Sequence, residues 1–227
     1  MKQLPLGVRL LDRAVFDSFV PGANALALGA ARALAAGEGA GLLYLHGVDG
    51  AGKSHLLQAI CAAVPGAAYL PLATLRELGP DVLSGLAGLP LVAVDDPQQV
   101  ADLPEWERQL FTLYNDCVVA GTRLAVAAAV PAVDLPLALP DLRSRLAAMP
   151  HYAVRALDEA QQREALRARA AARGILLPEE TLQYLQRRFT RDMASLHALL
   201  EKLDVASLEA KRPLTVPFIR QVLDESR

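Results

Sequence analysis

The sequence predicts an α/β protein with a mainly parallel sheet, followed by a small all-helical domain. Short apolar runs alternate with helical segments up to about residue 153, and a glycine-rich loop joins the first run to the next helix. Only helical patterns follow residue 154. Alternation of buried strands with crossover helices is typical of a parallel sheet. We therefore expect an N-terminal segment at 1–22, an α/β domain at 23–155 and a helical domain at 156–227.

Apolar periodicity and the positions of glycine and proline predict the individual elements of the α/β domain. Residues 1–22 are expected to be extended, because prolines and glycines interrupt any helix there. The strands should be short runs of Leu, Val and Ala, as buried parallel strands require. The predicted strands lie at 41–46, 67–72, 89–94 and 124–130. The predicted helices lie at 24–36, 53–64, 75–86 and 104–119, and the third has the weakest pattern.

The helical domain is predicted from helix-start signals. Asp158 and Gln161 have the spacing of a capping box, in which each side chain accepts a hydrogen bond from the other residue's backbone. Pro178, followed by two acidic residues, favours a second helix start, because proline suits the first turn and acids suit the positive helix end. The four predicted helices cover 158–173, 178–189, a segment from 192 and a short segment after 215.

The composition predicts a folded protein and excludes several classes. Apolar residues make up 53% and charged residues 21% of the chain, which is far from a disordered composition. The longest uncharged stretch, 56–75, is not expected to be a membrane helix, because prolines interrupt it. No secretory signal is visible at the N-terminus. Two cysteines, Cys61 and Cys117, form no disulfide framework, which fits the cytoplasm. A net charge of −2 gives no basic excess, so contact with DNA should be indirect.

The strongest motif is the loop Gly47-Val48-Asp49-Gly50-Ala51-Gly52-Lys53-Ser54, which matches the phosphate-binding pattern at every fixed position. It also follows a predicted strand and precedes a predicted helix, as the motif requires. Its glycines allow backbone N–H groups to surround phosphate oxygens beside the positive helix end. Lys53 is expected to reach the β- and γ-phosphates, and the Ser54 hydroxyl is expected to bind Mg²⁺. An ordinary glycine-rich turn is the alternative.

A second motif is an apolar strand that ends in two acids, Asp95 and Asp96. The carboxyl edge of a parallel sheet is where the ligand crevice of an α/β fold lies. Asp95 is expected to hold Mg²⁺ through water, and Asp96 to orient or deprotonate an attacking water. The alternative is a structural role, since strands often end in Asp at a turn and Pro97 follows.

These motifs and several other segments resemble the DnaA-like AAA+ family, and within it the Hda group of DnaA regulatory inactivators. The resemblance covers residues 3–223, and the initiator's C-terminal DNA-binding domain has no counterpart. It implies an AAA+ P-loop NTPase core followed by a helical lid. The segments that carry it are 16–24, 52–57, 95–96, 113–115, 139–146 and 214–218.

The resemblance also implies roles for individual residues. Arg145 matches an arginine finger that acts on nucleotide bound to a neighbouring subunit, with Arg143 as a competing candidate. Arg191 matches a second-sensor arginine that contacts bound phosphates. The N-terminal Gln3, Leu4, Pro5 and Leu6 match a motif for the sliding clamp. The nucleotide-binding residues implied in this way are Gly47, Asp49, Gly50, Ala51, Gly52, Lys53, Ser54, His55 and Arg191.

One feature departs from the family. After the strand residues 124–126 the family usually has a polar first-sensor residue beside the γ-phosphate, but here Ala127, Ala128 and Ala129 stand in its place. An alanine side chain offers no hydrogen bond to an attacking water. We therefore expect nucleotide binding with little intrinsic hydrolysis.

The function expected from the resemblance is regulation of replication initiation. The chain, with ADP or ATP and Mg²⁺, is expected to bind the DNA-loaded sliding clamp, the β subunit of DNA polymerase III, and to promote hydrolysis of ATP held by DnaA. DNA would be contacted only through the clamp, and self-association is an open alternative. Two other functions compete: an autonomous AAA+ ATPase that uses Asp96 as its base in a loading or remodelling role, and a small-molecule kinase with the same loop.

Overall fold

A computed structural model of the chain describes residues 14–171, 175, 177–188, 203, 206 and 214–224. The chain divides into two compact units between Arg155 and Ala156, apart from the loop residues Asp49–Ala51. The first unit is an α/β domain and the second is helical, and each is described by itself.

The first unit contains one sheet of five strands, all parallel, in the order β2-β3-β4-β1-β5. The two central pairings bring β4 between β3 and β1, so that β1 and β3 end at the same edge of the sheet. Every residue of β3 is buried, as expected for a strand covered on both faces. The strands are β1 (Leu42–His46), β2 (Ala68–Pro71), β3 (Leu91–Asp95), β4 (Arg123–Ala128) and β5 (His151–Ala153).

Helices cover both faces of this sheet. Helices α1 (Ala25–Ala36) and α2 (Lys53–Ala63) pack on each other, and α2 packs on β3 and β4. The opposite face carries α4 (Pro104–Ala120) and α5 (Pro140–Ala147), and its core includes Tyr44, Trp106 and Tyr114. Successive residues of a strand point to opposite faces, so both layers are built from alternate residues of the same strands. The parallel α/β fold predicted from the sequence is confirmed.

Two predictions for this unit are wrong in detail. The helix predicted at 75–86 is instead the short helix α3 (Leu72–Leu75) followed by two 3-10 turns, Arg76–Leu78 and Pro80–Leu83. Gly79 and Gly85 have positive φ angles, which end a right-handed helix. Strand β5 was not predicted, because a three-residue run shows no measurable alternation. Within the segment expected to be extended, Phe16–Ser18 form a 3-10 turn.

The second unit contains helices α6 (Glu159–Ala171), α7 (Glu179–Arg188) and α8 (Val216–Asp224) among its described residues. The predicted capping box is confirmed: the Gln161 N–H donates to Asp158 Oδ1 at 2.8 Å, and the Asp158 N–H donates to Gln161 Oε1 at 3.1 Å. The hydroxyl of buried Thr181 donates to the Leu214 carbonyl at 3.0 Å, joining α7 to the segment before α8. The helix predicted from Asp192 lies outside the described residues.

Within the described ranges, no helix combines the length and the apolar character that crossing a membrane requires.

Candidate nucleotide-binding site

The phosphate-binding loop occupies the turn between β1 and α2. Strand β1 ends at His46 and α2 begins at Lys53. Gly50 and Gly52 have φ angles of 76° and 105°, a region that side chains with a Cβ rarely adopt. The glycines predicted from the motif therefore occupy positions where the backbone requires them.

Gly47 is required for a different reason, the closeness of a neighbouring chain segment. A Cβ atom at this position would collide with the carbonyl oxygen of Val154. Val154 follows β5, and its N–H donates to the His46 carbonyl at 2.7 Å. The start of the loop is thus fixed between two strands. At the other end, a Cβ on Gly52 would lie 3.0 Å from the ring of Phe19.

The loop presents backbone N–H groups at the start of a helix. The N–H groups of Gly50, Ala51 and Gly52 donate to no atom in the part of the chain that the structure describes. The first N–H groups of a helix have no partner within the helix, and the helix dipole makes this end attractive to anions. The arrangement suits a phosphate group.

Lys53 lies inside the loop rather than in solvent. Its side chain is only 5% exposed, and its Nζ donates to the carbonyl oxygens of Gly47 at 2.8 Å and Val48 at 3.0 Å. An ammonium group held in this way places a positive charge at the centre of the loop. The charge is available to phosphate oxygens without a large movement of the side chain.

Asp95 ends β3 and is 3% exposed. One carboxylate oxygen, Oδ2, accepts a hydrogen bond from the Tyr69 hydroxyl at 2.6 Å. The other, Oδ1, is buried and accepts no geometrically defined hydrogen bond from the residues that the structure describes. Burial raises the pKa of this carboxyl and Asp96 adds to the rise, whereas Tyr69, Ser54 and the charge of Lys53 lower the pKa.

This geometry fits the Mg²⁺ role expected of Ser54 and Asp95. An unsatisfied buried carboxylate oxygen is costly unless a cation or a water supplies the missing partner. Oxygen atoms are the ligands that Mg²⁺ prefers, and it often keeps waters between itself and protein carboxylates. The Ser54 side chain lies close enough to interact with Asp95. The two residues proposed from the sequence are therefore neighbours.

Asp96 follows β3 in a strained conformation, with a φ angle of 56°. Its N–H donates to the Ala127 carbonyl at 2.9 Å, and its Oδ1 accepts from Gln98 Nε2 at 2.9 Å. Positive φ angles in residues other than glycine are uncommon and often mark functional sites. The contact with Gln98 fixes the carboxylate beside the Asp95 strand end.

The first-sensor position lies beside this acid pair. Ala127 is opposite Asp95 in the β3–β4 register and opposite Leu45 in the β1–β4 register. Ala127 and Ala128 are both fully buried. The position is therefore adjacent to Asp95 in the sheet, and it presents methyl groups.

His55 contacts the segment before α1. Its Nε2 lies 3.0 Å from the Val15 carbonyl oxygen and 3.2 Å from the Ser18 hydroxyl, and its ring packs edge-on against Phe19. These contacts hold residues 15–19 against the first turn of α2. His55, expected to bind nucleotide, thus has partners within the protein.

Arg145 lies on α5, away from the phosphate-binding loop in sequence. Its side chain is exposed and forms no hydrogen bond or ion pair with another described residue. Arg143, the competing candidate, is half-buried and donates from Nη1 to the Leu137 carbonyl at 3.4 Å. Leu142 and Leu146 anchor the helix in the core.

Four clamp-motif residues, Gln3 to Leu6, and the second-sensor candidate Arg191 lie outside the described residues. Sequence reasoning also missed Tyr69, which contacts Asp95, and Glu107, which contacts the segment before α5. Tyr69 stands in an apolar run, which was the available signal, whereas Glu107 stands among polar residues and gives none. The partner of each residue is distant in the sequence.

The fold and site define a class. A parallel sheet with a phosphate-binding loop after β1, an acid pair after β3 and a following helical unit is the architecture of an AAA+ P-loop protein. The bacterial DnaA ATPase domain model matches residues 10–68, and the model described as "Hda, lid domain" matches residues 158–223. By these two matches the chain is similar to DnaA in part of its α/β domain and to Hda in its helical domain.

Solved structures support the same fold. The chain is similar to domain III of the Thermotoga maritima replication initiation protein DnaA, with a TM-score of 0.75 and 20% identity over 96% of this chain and 98% of that one. It is similar to AMPPCP-bound DnaA from Aquifex aeolicus (TM-score 0.60, 19% identity, 78% of this chain and 60% of that one). It is also similar to the Thermotoga maritima Holliday junction branch migration motor RuvB (TM-score 0.58, 15% identity, 88% of this chain and 66% of that one).

Proposed function

We propose that this chain is a nucleotide-bound regulator of replication initiation that stimulates hydrolysis of ATP held by DnaA. The observation that carries the proposal is the exposed Arg145, whose side chain pairs with no other described residue, on a helix anchored in the core of the α/β domain. The sequence matches to the DnaA ATPase domain and to the Hda lid support a role in replication initiation. The chain would act in the cytoplasm, on ATP bound to a partner rather than on its own substrate.

In this proposal the chain's own site binds ADP or ATP as a switch. The N–H groups of the loop and Lys53 bind the phosphates, and Ser54 and Asp95 hold Mg²⁺, which neutralises phosphate charge when bound. Ala127 and Ala128 provide no hydrogen bond to a water at the γ-phosphate. Binding would therefore persist without rapid turnover.

Arg145 would supply the chemistry in trans. A guanidinium group placed beside the γ-phosphate of DnaA-bound ATP stabilises the charge that develops during phosphoryl transfer. The sliding clamp, bound through Gln3 to Leu6, would bring the chain to DNA without direct contact with the duplex. Self-association, with Arg145 offered to a second copy, would hide the same residue.

The experiment measures hydrolysis of ATP bound to DnaA in the presence of the DNA-loaded clamp, ADP and this chain. A finger of this kind contributes on the order of 10³–10⁵ in rate, so Arg145→Ala should remove nearly all stimulation while nucleotide and clamp binding persist. Arg143→Ala is the matched control on the same helix and should stimulate like the wild type. Undiminished stimulation by Arg145→Ala would contradict the proposal.

An autonomous AAA+ ATPase is the second candidate, favoured by Asp96 standing directly beside Asp95 with its carboxylate fixed by Gln98. This alternative predicts measurable ATP turnover by the isolated chain, lost in Asp96→Ala. If the isolated wild-type chain hydrolyses no ATP, the autonomous ATPase is excluded.

A further inference from the structure

Tyr69 links the helix of the phosphate-binding loop to the acid at the end of β3. Its hydroxyl lies 2.6 Å from Asp95 Oδ2 and 3.3 Å from Gln58 Nε2. Gln58 lies on α2, whose first residues are Lys53 and Ser54. Tyr69 lies on β2, the strand that pairs with β3. Three elements that surround the acid are therefore joined through one hydroxyl group.

The direction of these hydrogen bonds follows from the chemistry of the groups. The Gln58 amide nitrogen donates to the Tyr69 oxygen, and a phenol carries only one proton to donate. That proton goes to the Asp95 carboxylate, which is an acceptor when ionised. The hydrogen bond to Oδ2 opposes rotation of the carboxylate, so that Oδ1, which accepts no geometrically defined hydrogen bond from a described residue, keeps its orientation beside Ser54.

We infer that Tyr69 is a positioning residue for Mg²⁺ bound with nucleotide, because it holds Asp95 with Oδ1 available to the cation or to its waters. The inference rests on the nucleotide binding proposed above. Groups that orient the residues around a metal ion commonly change metal affinity by about 10–100-fold when they are altered. Tyr69 would act through Asp95 alone, without touching nucleotide.

The inference is tested by measuring ADP affinity calorimetrically, once with Mg²⁺ and once with EDTA, for the wild type and Tyr69→Phe. We expect the ADP affinity of the wild type to be higher with Mg²⁺ than with EDTA. In Tyr69→Phe the ratio of these two affinities should be about tenfold smaller. Affinity in EDTA should be unchanged. A purely structural role for Tyr69 would lower both affinities together, so the ratio of the two affinities separates the cases.

Tyr44→Phe is the matched control. Its hydroxyl, which like that of Tyr69 belongs to a tyrosine of the sheet, donates to the Val130 carbonyl at 3.0 Å, and its removal should leave the Mg²⁺ effect intact. A double variant adds a second test: in an Asp95→Asn background, Tyr69→Phe should cause no further loss, because both changes act on one interaction.

The outcomes are distinct. An undiminished Mg²⁺ effect in Tyr69→Phe, an equal loss in EDTA, or full additivity with Asp95→Asn would overturn the inference. The absence of any Mg²⁺ effect in the wild type would also overturn it while leaving nucleotide binding in place. Failure of the wild type to bind ADP under either condition would instead overturn the proposed function, and the inference with it.

Discussion

The Glu107 carboxylate accepts a hydrogen bond from the backbone N–H of Leu139 at 2.6 Å. It also accepts from the N–H groups of Ala138 and Asp102, both at 3.0 Å. Glu107 is 1% exposed on α4, and Leu139 immediately precedes α5. A buried carboxylate thus fixes the start of the helix that carries Arg145, and a buried charge is tolerated where several N–H groups satisfy it.

We predict that Glu107→Gln loosens the start of α5. The amide nitrogen that replaces one carboxylate oxygen cannot accept a hydrogen bond, so at least one backbone N–H loses its partner. Amide hydrogen exchange at Ala138 and Leu139 should accelerate, and the free energy of unfolding should fall by about 1–3 kcal/mol. The control Glu105→Gln changes an exposed residue of the same helix turn. Equal exchange rates in both variants would disprove the anchoring role.

We predict opposite effects of two glycine-to-alanine changes. Gly47→Ala introduces a Cβ into the Val154 carbonyl oxygen and should lower the free energy of unfolding by about 1–3 kcal/mol, with weaker nucleotide binding. Gly29→Ala lies within α1, where a Cβ meets no atom within 4 Å. This change should raise the free energy of unfolding by roughly 0.5–1 kcal/mol. Denaturant unfolding of both variants measures the difference. Two changes of the same sign would be incompatible with this account of the loop.

We predict that Asp95→Asn stabilises the chain without nucleotide while weakening the effect of Mg²⁺ on ADP affinity. Burial raises the pKa of Asp95 in the folded chain, so folding is penalised where the carboxyl is ionised. The penalty is present above the folded-state pKa and is relieved as the pH falls toward the unfolded value. Thermal unfolding at neutral pH should therefore give a higher Tm for Asp95→Asn than for the wild type. A lower Tm would show that ionised Asp95 stabilises the unliganded fold.

Patterns within short stretches of sequence predicted much of the fold. Alternating apolar runs predicted the parallel sheet, and the spacing of Asp158 and Gln161 predicted the helix start that their hydrogen bonds confirm. The helix predicted at 75–86 was wrong because Gly79 and Gly85 take up positive φ angles there. The helix propensity of the other residues in this segment did not compensate for the two glycines that interrupt the helix.

The candidate site was less predictable, because several of its contacts depend on register and packing. The phosphate-binding loop carries its geometry in its own sequence, through glycines at fixed positions. The Tyr69–Asp95 hydrogen bond spans 26 positions and the Glu107–Leu139 hydrogen bond spans 32. Neither pair is indicated by periodicity. The position of Ala127 beside Asp95 likewise follows from strand pairing.

Calorimetric titration with ADP and ATP in the presence of Mg²⁺ measures whether residues 47–54 bind an adenine nucleotide. The expected result is saturable binding by the wild type and a large loss of affinity in Lys53→Ala, since the buried ammonium at the centre of the loop is removed. Folded wild-type protein that gives no saturable heat with either nucleotide would contradict it.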